Sequence, residues 1–352
     1  MTRTVLPRKS KQLPCMFVTM GGEMRRIVDA GRRRVLSGAI AATAAALASK
    51  VGAQQSAQHG KPVWLDFDQA SLDRAYDQAA YAPNLDTVIK RWETNSEDAR
   101  TRLGAPRKLQ YGPTSIETLD LYPANAKKAP IHVFVHGGAW RAGSASQFSF
   151  VAEMFVKRGV HFIAPDFINV IEAGGNLMRM SEQVNRCLEW VYRNAASFGG
   201  DPDRIYLSGH SSGAHLAAVA LTTNWERDFR LPGNFIKAAT LVSGIYDLKP
   251  VRLSSRSKYV KFTDEAEERL SPQRHLDQLQ VPLALVHGTL ETPEFVRQSD
   301  DFAAAVRRAG KPASLVIGRG YNHVEILETL GNPYGVAGRY ALAQLNGEAF
   351  NS

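Results

Sequence analysis

The chain has 352 residues, two cysteines and a formal net charge of +9. Residues 1–53 carry ten basic and two acidic side chains, so the rest of the chain is left with a net charge of only +1. That near-neutral remainder removes the basic-surface case for a nucleic-acid-binding protein, and its lone Cys187 excludes an internal disulfide framework.

The first segment reads as an address rather than as fold. Gly31-Arg32-Arg33-Arg34-Val35-Leu36-Ser37 is a twin-arginine pattern, followed by the Ala-rich, weakly apolar run from Val35 to Ser49. Val51-Gly52-Ala53 then offers a small-residue cleavage site before Gln54. The apolar run is too short and too rich in alanine for a comfortable membrane span. Export to the periplasm or beyond, with removal of residues 1–53, is the expectation, and Met20 and Met24 are alternative starts. The mature protein is expected to make no stable membrane insertion.

From residue 54 the pattern predicts one α/β domain. Leu72 to Arg91 is helix-prone with polar interruptions and contains Tyr76, Tyr81 and Asn84, a stretch placed either around the domain or beside a site. Lys108–Gly112 and Thr118–Pro123 read as strands, the second alternating and closed by proline. Ile131–Val135 is a buried strand that runs into His136-Gly137-Gly138-Ala139-Trp140. A helix over Phe148–Arg158 and a strand over Val160–Ala164 follow. Met178–Phe198 carries Val184, Cys187, Leu188 and Val191 at helical spacing. Strands are expected at Phe235–Val242, Val281–His287 and Ala313–Ile317, with a helix at Pro293–Ala309 and a closing helix at Val324–Leu330. The polar stretch of about 249–279, including Asp264-Glu265-Ala266-Glu267-Glu268-Arg269, reads as a small helical insertion with a solvated charged face. Such alternation implies a mostly parallel sheet flanked by helices, with ligands bound at the strand C-terminal edge.

The chemistry collects at that edge. Gly209-His210-Ser211-Ser212-Gly213 lies between an apolar strand pattern and the small-residue helix beginning at Ala214, as in a nucleophile elbow. A serine hydroxyl needs a base within hydrogen-bond reach. Among nine histidines, His323 follows the last strand, where the chain order Ser–acid–His requires it. His136 and His287 precede glycines and more plainly shape loops, while His210 lies inside the elbow and His215 on the helix behind it. The orienting acid belongs in the loop after Val281–His287, which makes Glu291 the choice. Glu294, at a helix start where a carboxylate can serve as a cap, and Asp247 are the rivals. Oxyanion donors are assigned to the N–H groups of Ser212, Gly138 and Ala139, with Gly137 as an alternative. Trp140, Tyr246 and Tyr321 are candidate pocket walls. No zinc-ligand spacing or His-Glu-x-x-His helix is present in the sequence.

Five blocks carry a family resemblance. They are His136-Gly137-Gly138-Ala139-Trp140-Arg141, Gly209 to Leu216, Ser243-Gly244-Ile245-Tyr246-Asp247-Leu248, Glu291-Thr292-Pro293-Glu294-Phe295 with Arg297-Gln298-Ser299, and Asn322-His323 before Ile326-Leu327-Glu328. Over residues 108–335 the chain resembles the α/β-hydrolase superfamily, in the hormone-sensitive-lipase-like branch that includes kynurenine formamidases. The resemblance implies a Ser-acid-His hydrolase acting without cofactor on a small-molecule carboxylic ester or aryl formamide; it says nothing of oligomeric state. Two features depart from it. Members of that group carry Asp where this chain has Glu291, and their metabolic setting is cytoplasmic, whereas a leader directs this chain outward. An exported relative is expected to meet esters or amides outside the cytoplasm. A hydrolase scaffold that binds without turnover is the contrasting class, and the intact Ser, His and acid positions speak against it.

Overall fold

The structure is a computed structural model and describes residues 60–348; the expected leader at 1–53 lies outside the described residues. After a short bridge between Trp64 and Phe67, the chain forms α1 (Gln69–Ala75) and α2 (Leu85–Leu103). Asp68 caps α1 by accepting the Ser71 N–H at 2.9 Å. The helical stretch expected from Leu72 to Arg91 is therefore interrupted. A 3-10 turn at Gln78–Ala80 and Pro83, which disfavours helix at the residue before it, separate the two helices.

Eight strands follow: β1 (Arg107–Gln110), β2 (Thr118–Tyr122), β3 (Ala129–Val135), β4 (His161–Pro165), β5 (Gly200–His210), β6 (Ile236–Val242), β7 (Leu283–Gly288) and β8 (Ala313–Gly318). They make one sheet in the order β1-β2-β4-β3-β5-β6-β7-β8. β1 and β2 pair antiparallel, as do β2 and β4, and every other neighbouring pair is parallel. The helices between and after them are α3 (Ala152–Val156), α4 (Leu177–Asn194), α5 (Ser212–Leu221), α6 (Trp225–Phe229), α7 (Lys249–Leu253), α8 (Asp264–Arg269), α9 (Pro293–Arg308), α10 (Glu325–Glu328) and α11 (Val336–Leu345). This is the α/β-hydrolase architecture, a mostly parallel sheet covered by helices. Among the described residues no helix is long and apolar enough to cross a membrane.

The strand period of two divides the core between the faces. Ile131, Val133 and Val135 of β3 pack into a cluster with Val184 of α4, Leu216 of α5 and Phe302 of α9. Phe134, between them, points the other way, into a cluster with Trp92 of α2, Phe155 of α3, Leu327 of α10 and Leu342 of α11. Burying each such side chain contributes about 1.5–3 kcal/mol relative to exposure. Both faces must be apolar, and the strands accordingly read as continuous hydrophobic runs.

Two helical expectations shift. Phe148–Arg158 divides into a 3-10 stretch (Ala145–Val151) and α3, with Phe148 itself non-helical at φ −116°. That backbone turns the Phe148 ring onto Trp92, Phe134 and His136. The expected closing helix at Val324–Leu330 is the short α10 plus a 3-10 turn, and the final helix is α11, further along. Residues 249–279 form α7, α8 and three 3-10 turns, with Arg252 and Arg274 bonded to the acids of α8.

Candidate active site

β5 ends at His210, and the chain reverses through Ser211 directly into α5. Ser211 has φ +57° and ψ −125°, a conformation that costs about 1–3 kcal/mol and persists only where the surroundings impose it. Two glycines supply the room. A Cβ on Gly213 would stand 2.1 Å from the Val135 carbonyl, and one on Gly209 would stand 2.6 Å from the Gly213 carbonyl. The Ser211 N–H donates to the Val242 carbonyl at 2.9 Å, which pins the turn to the neighbouring strand β6.

Ser211 Oγ lies 2.8 Å from His323 Nε2, and His323 Nδ1 lies 2.7 Å from Glu291 Oε2. A carboxylate only accepts, so Nδ1 carries the proton and Nε2 is free to accept from the hydroxyl. All three residues are buried, with Glu291 at 5% exposed. The other carboxylate oxygen accepts Ser243 Oγ–H at 2.7 Å and the Gly288 N–H at 2.6 Å, which fixes the rotamer of Glu291. The loop carrying His323 is fixed as well. Asn84, just before α2, donates to Glu325 Oε1 and accepts from Asn322 Nδ2, both at 2.7 Å. His210 donates from Nε2 to the His323 carbonyl at 2.8 Å, and its ring centroid is 4.8 Å from that of His323. Burial, reinforced by the neighbouring His323, holds the His210 pKa well below its ordinary range, so it stays neutral beside the His323 ring.

The rival acids sit elsewhere. Glu294 is fully buried, but its carboxylate is held by Tyr76 Oη–H at 2.9 Å and by Arg297 Nε and Nη2 at 2.7 and 2.8 Å. It does not cap α9 through its side chain; Thr292 is the N-cap. Asp247 accepts the Lys249 N–H and reaches Arg274, away from the imidazole.

The loop after β3 approaches Ser211 from the other side. A Cβ on Gly137 would lie 3.2 Å from Ser211 Cβ, and Gly138 has φ +123° with the Ala142 carbonyl filling the place a side chain would take. Ala139 and Trp140 also have positive φ, +54° and +61°. The loop is held by Ser212 Oγ, which accepts the Trp140 N–H at 3.1 Å, and by the Trp140 indole N–H on His215 Nδ1 at 3.2 Å. His215 Nε2–H then donates to the Leu270 carbonyl at 2.8 Å, and burial lowers its pKa to about 4. The N–H groups of Gly138 and Ala139 donate to no atom of the described residues, and Ser212, first in α5, has no intrahelical acceptor. Gly138 and Ala139 line the same cavity as Ser211, and Ser212 follows it in the chain, so three backbone N–H groups are available there as donors. A hydroxyl bonded to an oriented imidazole, beside free backbone donors, is an arrangement suited to attack on a carbonyl carbon.

Ser211 and His323 open on a cavity of about 1010 Å³. The three expected wall aromatics, Trp140, Tyr246 and Tyr321, do not line it. Trp140 is turned inward by its positive φ and by the bond to His215, and is 1% exposed. Tyr246 is buried against Phe302, its ring stacked at 4.2 Å. Tyr321 packs on the α10 and α11 side of the core and uses its backbone carbonyl to accept the Leu290 N–H. Beside the 137–148 loop, the walls come from two further segments distant in sequence. Tyr76, Gln78 and Trp92 come from the N-terminal helices, and Arg256 and Tyr259 from the 249–279 segment. Only the interrupted stretch after Leu72 hinted at this.

The chain is similar to known hydrolases and esterases. The BD-FAE family model matches residues 119–306. A kynurenine formamidase of Danio rerio is 31% identical over 280 residues, covering 76% of this chain and 93% of that protein. An isoprenylcysteine alpha-carbonyl methylesterase of Arabidopsis thaliana is 30% identical, covering 62% of this chain and 56% of that protein. The structure of an esterase from Pyrobaculum calidifontis shares the fold, at TM-score 0.61 and 19% identity over 78% of this chain and 97% of that one. With the sheet order, the strained serine turn and the matched segment in agreement, the chain belongs to the BD-FAE family of α/β-hydrolases.

Proposed function

We propose that the protein is a serine hydrolase that cleaves carboxylic esters and aryl formamides or amides through an acyl-enzyme. The observation that carries this reading is the unbroken hydrogen-bond chain Ser211–His323–Glu291 opening on a cavity. In this mechanism Ser211 Oγ attacks the carbonyl carbon while His323 Nε2 takes its proton. Glu291 stabilises the imidazolium, and the N–H groups of Gly138, Ala139 and Ser212 receive the oxyanion. His323 returns the proton to the departing alcohol or amine. Water, deprotonated by His323, then attacks the acyl-enzyme and releases the acid, which is formate when the substrate is a formamide.

A narrower reading, a dedicated kynurenine formamidase, draws on the match over 93% of the fish enzyme, and the methylesterase match supports ester cleavage beside it, so neither substrate is preferred by the relatives. The test is turnover of p-nitrophenyl esters of graded acyl length and of N-formylkynurenine by the mature protein. Ser211→Ala and His323→Ala should each nearly abolish turnover with the fold intact, and the double variant should be little worse than either. Substantial turnover by folded Ser211→Ala overturns the assignment. The arginine pair, apolar run and small-residue site support export, with the working domain starting near residue 54. N-terminal sequencing of periplasmic material should begin near Gln54; a cytoplasmic protein retaining residues 1–53 overturns that reading.

A further inference from the structure

Besides the triad, the cavity is lined by a guanidinium that no carboxylate of the described residues neutralises. Arg256 lies in the 3-10 turn Ser255–Lys258 and is only 6% exposed. Its Nη2–H donates to the Tyr76 carbonyl at 3.1 Å and its Nη1–H to Tyr259 Oη at 3.3 Å. An arginine has five N–H donors, so three remain, and the buried Nε–H has no partner among the described residues. The cation is held over rings, with Cζ 5.4 Å from the Trp140 centroid, 5.7 Å from Tyr76 and 6.0 Å from Phe295. The Phe295 ring is in turn 4.7 Å from that of His323, so the guanidinium stands one ring away from the base.

The acids lining the cavity do not serve as its counter-ion. Asp73 accepts the Ser255 N–H and Gln69 Nε2, Asp77 caps the turn at Gln78–Ala80, and Glu93 is exposed. Two more lining residues carry unanswered polar atoms. Both amide atoms of Gln78 and the Trp92 indole nitrogen are buried without a partner among the described residues. Buried polar groups are overwhelmingly paired in native proteins, and a buried guanidinium without a counter-charge is costly. Three such residues around one cavity mark a surface built for a polar, negatively charged ligand rather than for an alkyl chain. Arg74, Arg141 and Lys258 also line the cavity but are exposed to solvent; the one buried cation calls for one negative charge, which a carboxylate meets with two parallel hydrogen bonds.

We infer that Arg256 reads a carboxylate on the substrate, so that the cavity takes esters or formamides whose acyl or leaving group carries one. Gln78 and Trp92 receive the neighbouring polar groups. This rests on the hydrolase reading above and adds the substrate class to it. Arg256 is a binding residue here, one step removed from the reacting atoms.

Two pairs of substrates test it, each contrasting a carboxylate with its neutral amide. On the acyl side they are mono-p-nitrophenyl adipate and p-nitrophenyl adipamate; on the leaving-group side, 3-carboxyphenyl and 3-carbamoylphenyl butyrate. The unmodified protein should favour the carboxylate in at least one pair by tenfold or more in kcat/KM. Arg256→Gln should raise KM for that member tenfold or more while changing the neutral member less than threefold, and Arg256→Lys should retain part of the preference. Equal turnover of both members by the unmodified protein overturns the inference and leaves the hydrolase reading standing. A preference that survives Arg256→Gln, or a parallel loss for both members, overturns it too, the latter showing a purely structural arginine. Should Arg256→Gln fail to fold, competition decides: the free acid of the preferred side, adipate or 3-hydroxybenzoate, must inhibit the unmodified protein at least tenfold better than its amide, and equal inhibition overturns the inference. Failure to cleave any of the four substrates overturns the hydrolase reading itself.

Discussion

Replacing Glu291 by Gln isolates one proton position. In the structure both carboxylate oxygens only accept: Oε2 from His323 Nδ1–H, and Oε1 from Ser243 Oγ–H and the Gly288 N–H. An amide must turn its NH2 toward one of those sides. The Gly288 N–H, 2.6 Å from Oε1, is a backbone donor that cannot reverse, so the amide nitrogen is driven toward His323. There it donates to Nδ1, the imidazole proton moves to Nε2, and the ring can no longer accept from Ser211. The expected loss in kcat is about 10⁴-fold, roughly 5 kcal/mol of transition-state stabilisation, with KM changed far less. Glu291→Asp keeps the charge and should recover part of the loss. The assay is kcat and KM for one p-nitrophenyl ester, with circular dichroism as the control for folding. A folded Glu291→Gln within tenfold of the parent would refute the reasoning and take Glu291 out of the triad.

Two further predictions concern stability. Glu294→Gln leaves Arg297 and Tyr76 without their buried charge partner, and should lower the unfolding free energy by about 3 kcal/mol in urea titration while kcat changes less than tenfold. Acid should also destabilise the fold through its buried imidazoles. Burial lowers His132 to about 3 and His215 to about 4 from an ordinary 6.5, so below pH 6.5 the unfolded chain binds protons that the native chain refuses. Stability should therefore fall as pH drops from 6.5 toward 4, by about 2 kcal/mol per histidine between pH 7 and 5. His132→Gln should flatten that slope in urea midpoints, and a flat profile in the parent would contradict it.

The parts of the site that sequence made visible are those whose chemistry demands particular local residues. The glycines around Ser211 are there because any Cβ would collide with backbone, and that requirement shows in a five-residue pattern. His323 and Glu291 follow from strand order, since each lies just past the end of a strand. The walls obey no such local rule. Trp140, Tyr246 and Tyr321 stand beside the motifs, yet each finds its partners in the core. Tyr76 and Arg256 are 180 positions apart and share a wall only because α1 packs near the 249–279 segment, a tertiary fact without periodicity. The final helix α11 escaped for a related reason. Its run of alanine and glycine has little amphipathic contrast, and packing against the sheet rather than pattern makes it a helix.

The bonds from Asn84 to Asn322 and Glu325 carry a consequence for anyone reshaping the cavity. The same residue anchors the start of α2, whose Trp92 lines the substrate space, and steadies the loop on which His323 rides. Selectivity and turnover are thus mechanically joined at that point. Under the proposed mechanism, a library that widens the entrance by loosening the N-terminal helices also displaces His323, and variants with broader scope arrive with slower chemistry unless the Asn84 contacts are kept.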